Sequence, residues 1–340
     1  MTRSRLVVLS AALVAAFGAA AAIGAIALDP ARAAVGPLPP EALILPADAK
    51  FVGGIDVRRL TSSVFYAKYA KASEGGRGMR PETFRDIEEK TGLNPERDLD
   101  QVILAGSPSA GAGGMAVVLG RFDQAKIGRT IEQGDKVSWK NVRGVTLYVF
   151  GEGRKGAGAL AFLDERTLVL GSQKVVEAAI VAREEGGQTL RSNAGMMALL
   201  EKLQAGSTFW LVGDQSALQN MPQSIPAPGG SGSSITLPGL HHVLVTGDVD
   251  PLVSLEITGE AADEAAARQL ADVVRGAVAL ATLQANQKPE LKDLATAVSV
   301  TQDQKNVRLN ARVPYELIDA LQAQSRRVQP APGGDPHTGS

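Results

Sequence analysis

One succession of strand-like and helix-like stretches runs through this chain twice, and that order restricts its architecture more than any single motif. In the first pass "FVGGIDV" from Phe51 reads as a strand. A helix is expected over Pro81–Thr91, with Pro81 at its first position, Phe84 and Ile87 on one face, and Gly92 just past its end. The apolar runs "QVILAG" and "MAVVLG" flank the Gly/Ser/Pro stretch "SPSAGAGG", as strands flank a loop. Asp123 caps a helix carrying Ile127 and Ile131. "VTLYVF", "GALAFL" and "TLVLG" follow as strands, and Ser172 opens a helix with Val175, Val176, Ala179 and Ile180 inward.

The order then restarts. "NAGMMALLEKLQ" places Met196, Leu200 and Leu203 in line, and "TFWLVGD" at Thr208–Asp214 resembles "KFVGGID" at Lys50–Asp56. "HHVLVTGDVDPLVSLEITG" repeats the strand pair, and a helix expected from Glu260 matches the one after Asp123. "TAVSV" and "VRLNARV" match the later strands, and Pro314–Arg326 matches the helix after Ser172; these later matches share an offset of about 140 residues. The expected fold is α+β, with two tandem, duplicated units, each a mostly antiparallel sheet with helices packed on one face. The units span 47–188 and 189–327, and a flexible loop over 222–238, rich in Pro, Gly and Ser, interrupts the second. A proline-rich spacer over 35–46 is expected to be extended and exposed, and a disordered tail over 328–340.

Residues 1–34 carry a targeting signal. Arg3 and Arg5 precede a charge-free run from Leu6 to Leu28, and "ARAA" offers Ala31 and Ala33 as the small residues of a signal-peptidase site. The run is also long enough to cross a bilayer of about 30 Å, so a retained membrane anchor is the alternative to cleavage after Ala33. Either outcome places the bulk of the chain outside the cytoplasm, periplasmic or secreted. The chain has no cysteine, which removes disulfides, thiolate nucleophiles and cysteine-held metals from consideration. A net charge of −1 without a basic block, together with 4% aromatic residues, argues against nucleic acid as a partner.

The motif-like stretches lose their chemistry on inspection. "GLNPERDLDQ" spaces Asn94, Glu96, Asp98 and Asp100 as calcium ligands are spaced. Counting from Asn94, however, the sixth and twelfth places hold Leu99 and Ala105 where an EF-hand loop needs Gly and Glu. Asn94 before Pro95 and Glu96 reads instead as a helix N-cap, a first-position proline and a first-turn acid. "GEGRKG" at Gly151–Gly156 matches G-x-G-x-x-G, but a strand follows it where a dinucleotide site requires a helix. His241 and His242 are the only histidines outside the tail, and a strand points them to opposite faces. The expected helix from Glu260 to about Gln284 carries an apolar stripe of Leu270, Val273, Val274, Ala277, Val278 and Ala281. That stripe suits core packing, a cleft for an apolar ligand, or a surface for a partner protein.

"EALILPADAKFVGGIDVRRL", "TGLNPERDLDQVILAG" and "ERTLVLGSQKVVEAAI" are similar to stretches of uncharacterised exported bacterial proteins of the domain-of-unknown-function type. The resemblance spans about Glu41 to Ala182 and implies an exported α+β protein without known catalytic residues. No catalytic, cofactor-binding or metal-binding residue is nominated, and no cofactor is expected. The sequence reading is a non-catalytic envelope protein that binds a ligand or a protein partner, touching the membrane only through its N-terminal segment. An extracytoplasmic hydrolase using paired carboxylates and a structural envelope component are the alternatives.

Overall fold

The computed structural model describes residues 38–70, 88–106, 114–134, 137–151, 157–203, 206–218, 224–226, 234–236, 238–285 and 297–320. The expected export segment, the start of the helix over Pro81–Thr91, the glycines of "GEGRKG" after Gly151 and the C-terminal tail lie outside these residues. Residues 88–91 are helical, and Gly92 follows with a positive φ of 72°, the left-handed conformation that glycine adopts at low cost.

The first seven strands are β1 (Phe51–Asp56), β2 (Leu99–Gly106), β3 (Met115–Gly120), β4 (Val137–Val142), β5 (Val145–Phe150), β6 (Gly158–Asp164) and β7 (Thr167–Gly171). The later ones are β8 (Phe209–Asp214), β9 (Ser224–Pro226), β10 (Ser234–Thr236), β11 (Leu240–Asp248), β12 (Val253–Ala261), β13 (Val298–Asp303) and β14 (Asn306–Val313). Twelve of them form one sheet in the order β13-β14-β12-β11-β8-β1-β2-β3-β7-β6-β5-β4. Every pairing in it is antiparallel. The two expected units therefore share a sheet, joined where Phe51–Ile55 of β1 pair with Phe209–Gly213 of β8.

The helices are α1 (Val57–Ser62), α2 (Pro95–Asp98), α3 (Gln124–Glu132), α4 (Gln173–Glu185), α5 (Ala194–Leu200), α6 (Gln215–Leu218) and α7 (Glu264–Ala285), with residues 315–320 also helical. They pack on both faces of the sheet, not on one. Strand alternation sends Ile103, Val117, Val169 and Val212 to one face, where Val176, Ala179 and Ile180 of α4 and Met196 and Leu200 of α5 cover them. Val102, Val118 and Leu168 point the other way, under Ile127 and Ile131 of α3. The first half needs cover on both sides because its strands are apolar on both sides; the burial pattern of β3 shows five of its six residues buried. In the second half the pattern of β13 alternates, and Ser299 and Thr301 face solvent. Helix α7 and residues 315–320 lie on the same face as α3, over Ala261, Val307 and Ala311.

Three further expectations change, and one strand lies where none was expected. Residues 40–44 form a 3-10 turn with Pro40 at its start, and Ala42 and Leu45 are fully buried in the main core. The described part of the expected spacer, residues 38–46, therefore belongs to the fold. Its backbone is tied to the next half by Leu190 donating to the Leu45 carbonyl at 2.7 Å. Within the expected loop over 222–238, β9 and β10 pair as a small antiparallel ribbon. Glu260 and Ala261 belong to β12, paired with His242 and Leu240, so α7 starts only at Glu264, where the Asp263 side chain accepts from the Ala266 amide. Strand pairing at Glu260 outweighs its helix propensity. Finally, "VSWKNV" forms β4, an edge strand that the apolar pattern does not announce because its middle four residues are exposed.

Candidate functional site

The most concentrated polar chemistry among the described residues gathers where β2 begins, β3 ends and the β6–β7 hairpin turns. Asn94 accepts from the Glu96 and Arg97 amides at 3.0 and 3.2 Å, Pro95 opens α2, and the Asp98 carboxylate returns to accept from the Asn94 amide at 2.8 Å. One helical turn thus separates the acids that an extended chain would align. Asp98 also receives both Nε and Nη2 of Arg97, at 2.9 and 2.7 Å, and this bidentate pairing holds its carboxyl below the ordinary aspartate range against the opposing effect of burial. Asp100 is bridged by two guanidinium groups, Arg58 Nε at 2.6 Å and Arg166 Nη2 at 2.9 Å. Glu96 accepts from the Tyr66 hydroxyl at 2.7 Å; burial first and this bond second push the phenol's pKa up.

Two open depressions flank this cluster. One, about 270 Å³, is lined by Glu41, Asp56, Arg58, Asp100, Arg166 and Thr167. The other, about 770 Å³, is lined by Arg97, Asp98, Arg121, Phe122, Asp123 and Arg166, among others. Four of the lining acids are committed to donors: Asp56 and Asp123 cap α1 and α3 through the Arg59 and Lys126 amides, and Asp98 and Asp100 hold arginines. Both carboxylate oxygens of Asp100 are taken by arginines, Oδ1 by Arg58 and Oδ2 by Arg166, which leaves neither positioned to accept a proton from a substrate.

A second cluster joins residues 64–70 to the last described helix, residues 315–320. Phe65, Tyr69 and Tyr315 pack with ring centroids 5.1 to 6.4 Å apart. Asp319 accepts from Lys68 at 2.5 Å and from the Tyr69 hydroxyl at 3.0 Å, and Tyr315 donates to the Val249 carbonyl. This arrangement anchors residues 64–70 against the helix at 315–320.

The histidines part company on β11. His241 is exposed, while His242 is buried with Nδ1 3.4 Å from Glu260 Oε2. Burial dominates and lowers its pKa, Lys202 adds to the lowering, and Glu260 opposes it. Asp248, at the far end of β11, accepts from the Thr208 amide and hydroxyl, both at 2.9 Å. The fully buried residues of α7 are Ala267 and Ala271, against β12 and β14 and outside the expected stripe, whereas Leu270, Val273, Val274 and Val278 of the stripe are half-buried and the side chains of Ala277 and Ala281 lie outside those described. "GEGRKG" connects β5 to β6, which pair antiparallel, so a strand follows it.

Arg58, Arg121 and Arg166 are the residues that sequence reading passes over. They sit after β1, after β3 and in the β6–β7 turn, and only sheet register, Leu99 with Gly120 and Leu119 with Thr167, brings them to one place. Nothing local in the sequence signals that meeting.

No family model and no curated protein matches the chain. Solved structures similar to it at low level are crystal forms III and I of TP0453. Form III is 10% identical, with the match covering 86% of this chain and 100% of that one at a TM-score of 0.46. Form I is 10% identical, covering 86% and 99% at a TM-score of 0.45.

Proposed function

We propose that this chain is an exported envelope protein that binds a partner or ligand without transforming it, built from two duplicated units. Export is supported by Arg3, Arg5, the Leu6–Leu28 run and "ARAA". Duplication is supported by strand order. On either side of the β1–β8 junction the sheet runs β1-β2-β3-β7 and β8-β11-β12-β14, with α3 and α7 following the third strand of each series on the same face. The observation that carries the non-catalytic reading is Asp100 held between Arg58 and Arg166, in the depression where a reacting group would have to sit. Paired charges of this kind order a surface and leave it unreactive.

The test combines processing and turnover. Mass spectrometry of the chain recovered from a bacterial host finds Ala34 as the first residue, or the intact N-terminus in the membrane fraction if the segment is retained. Full-length chain in the cytosol contradicts export. Chromogenic ester, glycoside and phosphate substrates give no turnover above background. Turnover abolished by Asp100→Asn contradicts the binding reading and restores the carboxylate hydrolase.

A further inference from the structure

The outer edge of β4 is built to pair with a copy of itself. Arg143 and Gly144, with φ of 51° and 81°, make the two-residue turn between β4 and β5, so Val142 and Val145 form the hydrogen-bonded closing pair of the hairpin. Antiparallel ladders alternate from there. Val142, Lys140 and Ser138 turn their amides and carbonyls inward to β5, while Asn141, Trp139 and Val137 turn theirs outward. Among the described residues β4 is the last strand of the sheet, so these outward groups form its open edge.

Natural edges carry devices against pairing: proline, bulges or projecting charge. This one has no proline and no register shift against β5. Its basic side chains are drawn back onto α4, Lys140 to Glu177 and Arg143 to Glu185. At its centre stands Trp139, 53% exposed, one of the two tryptophans of the chain; the other, Trp210, is 4% exposed. An exposed indole on an edge that no other strand covers among the described residues is an unsatisfied surface.

We infer that two copies of the chain join edge to edge through β4, antiparallel about a two-fold axis at Trp139. That register places Trp139 opposite Trp139 of the second copy, Val137 opposite its Asn141, and Ser138 opposite its Lys140. It satisfies the outward amides of all three edge residues, stacks the two indoles on one face, and sets no like charges directly opposite each other, the two Lys140 side chains meeting only on the diagonal. The contact is isologous and closes as a dimer. Pairing β4 with the opposite edge strand, β13, would give an open chain. A single strand pair buries less than the roughly 1,200–2,000 Å² of a standard stable interface, so association belongs in the micromolar range.

Sedimentation velocity on the full chain purified from a bacterial host, from about 1 to 100 µM, tests this. A monomer–dimer equilibrium is expected. Trp139→Pro removes an outward amide and no bond of the fold, and it abolishes the dimer while the circular dichroism spectrum is kept. The register is tested by charge: Ser138→Lys, facing Lys140 of the second copy, weakens association about tenfold, and Ser138→Glu strengthens it. A monomer at every concentration, polymers larger than a dimer, a dimer indifferent to Trp139→Pro, or equal effects of Ser138→Lys and Ser138→Glu would each overturn the inference.

Discussion

Trp210 of β8 lies across Gly54, its register partner on β1, so closely that a Cβ added to Gly54 would sit 2.6 Å from the indole Cε2. The neighbouring Phe209 does the same on the opposite face, over Gly247 of β11, where an added Cβ would overlap its ring. Two successive aromatic residues thus close β8 onto the strands on both of its sides, and glycine is the residue that leaves room for them.

Gly54→Ala should therefore destabilise the whole chain by about 1–3 kcal/mol, the cost of overpacking at a buried contact. Denaturant unfolding measures it. A variant as stable as the parent would mean that the ring has space to retreat.

Asn94 tests the reading of "GLNPERDLDQ" as punctuation. Asn94→Ala removes the acceptor for the Glu96 and Arg97 amides and should cost about 1 kcal/mol. Calorimetric titration should show no saturable calcium binding, since Asp98 and Asp100 are engaged by arginines. A site lost on Asp98→Ala together with Asp100→Ala would contradict this.

His242 gives a pH dependence. Its pKa in the fold is lowered by burial, so the unfolded chain takes up a proton first as pH falls below about 6.5. The stability tied to neutral His242 is complete above that value and lost as pH drops toward the lowered folded pKa. Melting temperatures at pH 7.5 and 5.5 should differ more for the parent than for His242→Gln. Equal differences would show that another group governs this range.

Short-range chemistry was the legible part of this fold. Asn94-Pro95 announces its turn, Asp123 its cap, and Ile127 with Ile131 the buried face of α3, because each signal acts within a few residues. Long-range pairing was illegible. Phe51 meets Gly213 across the middle of the sheet, and Asp100 meets Arg166, by register alone. Composition misled where tertiary packing overrides it: the prolines around Ala42 and Leu45 suggest a spacer, yet those two apolar side chains find a place beneath α4 and α5. Strand β4 escaped because an edge strand needs no continuous apolar run, so "VSWKNV" lacks the unbroken apolar stretch that marks β5 and β6.

The pairing of β1 with β8 joins the strands on its two sides into one sheet. Native-state hydrogen exchange tests it residue by residue. The ladder amides among residues 52–55 and 209–212 should exchange as slowly as those of Val117 and Val169, through global unfolding, and Gly54→Ala should speed all of them together. Fast, local exchange along β1 and β8, with slow cores on either side, would contradict the single sheet and leave two independent domains.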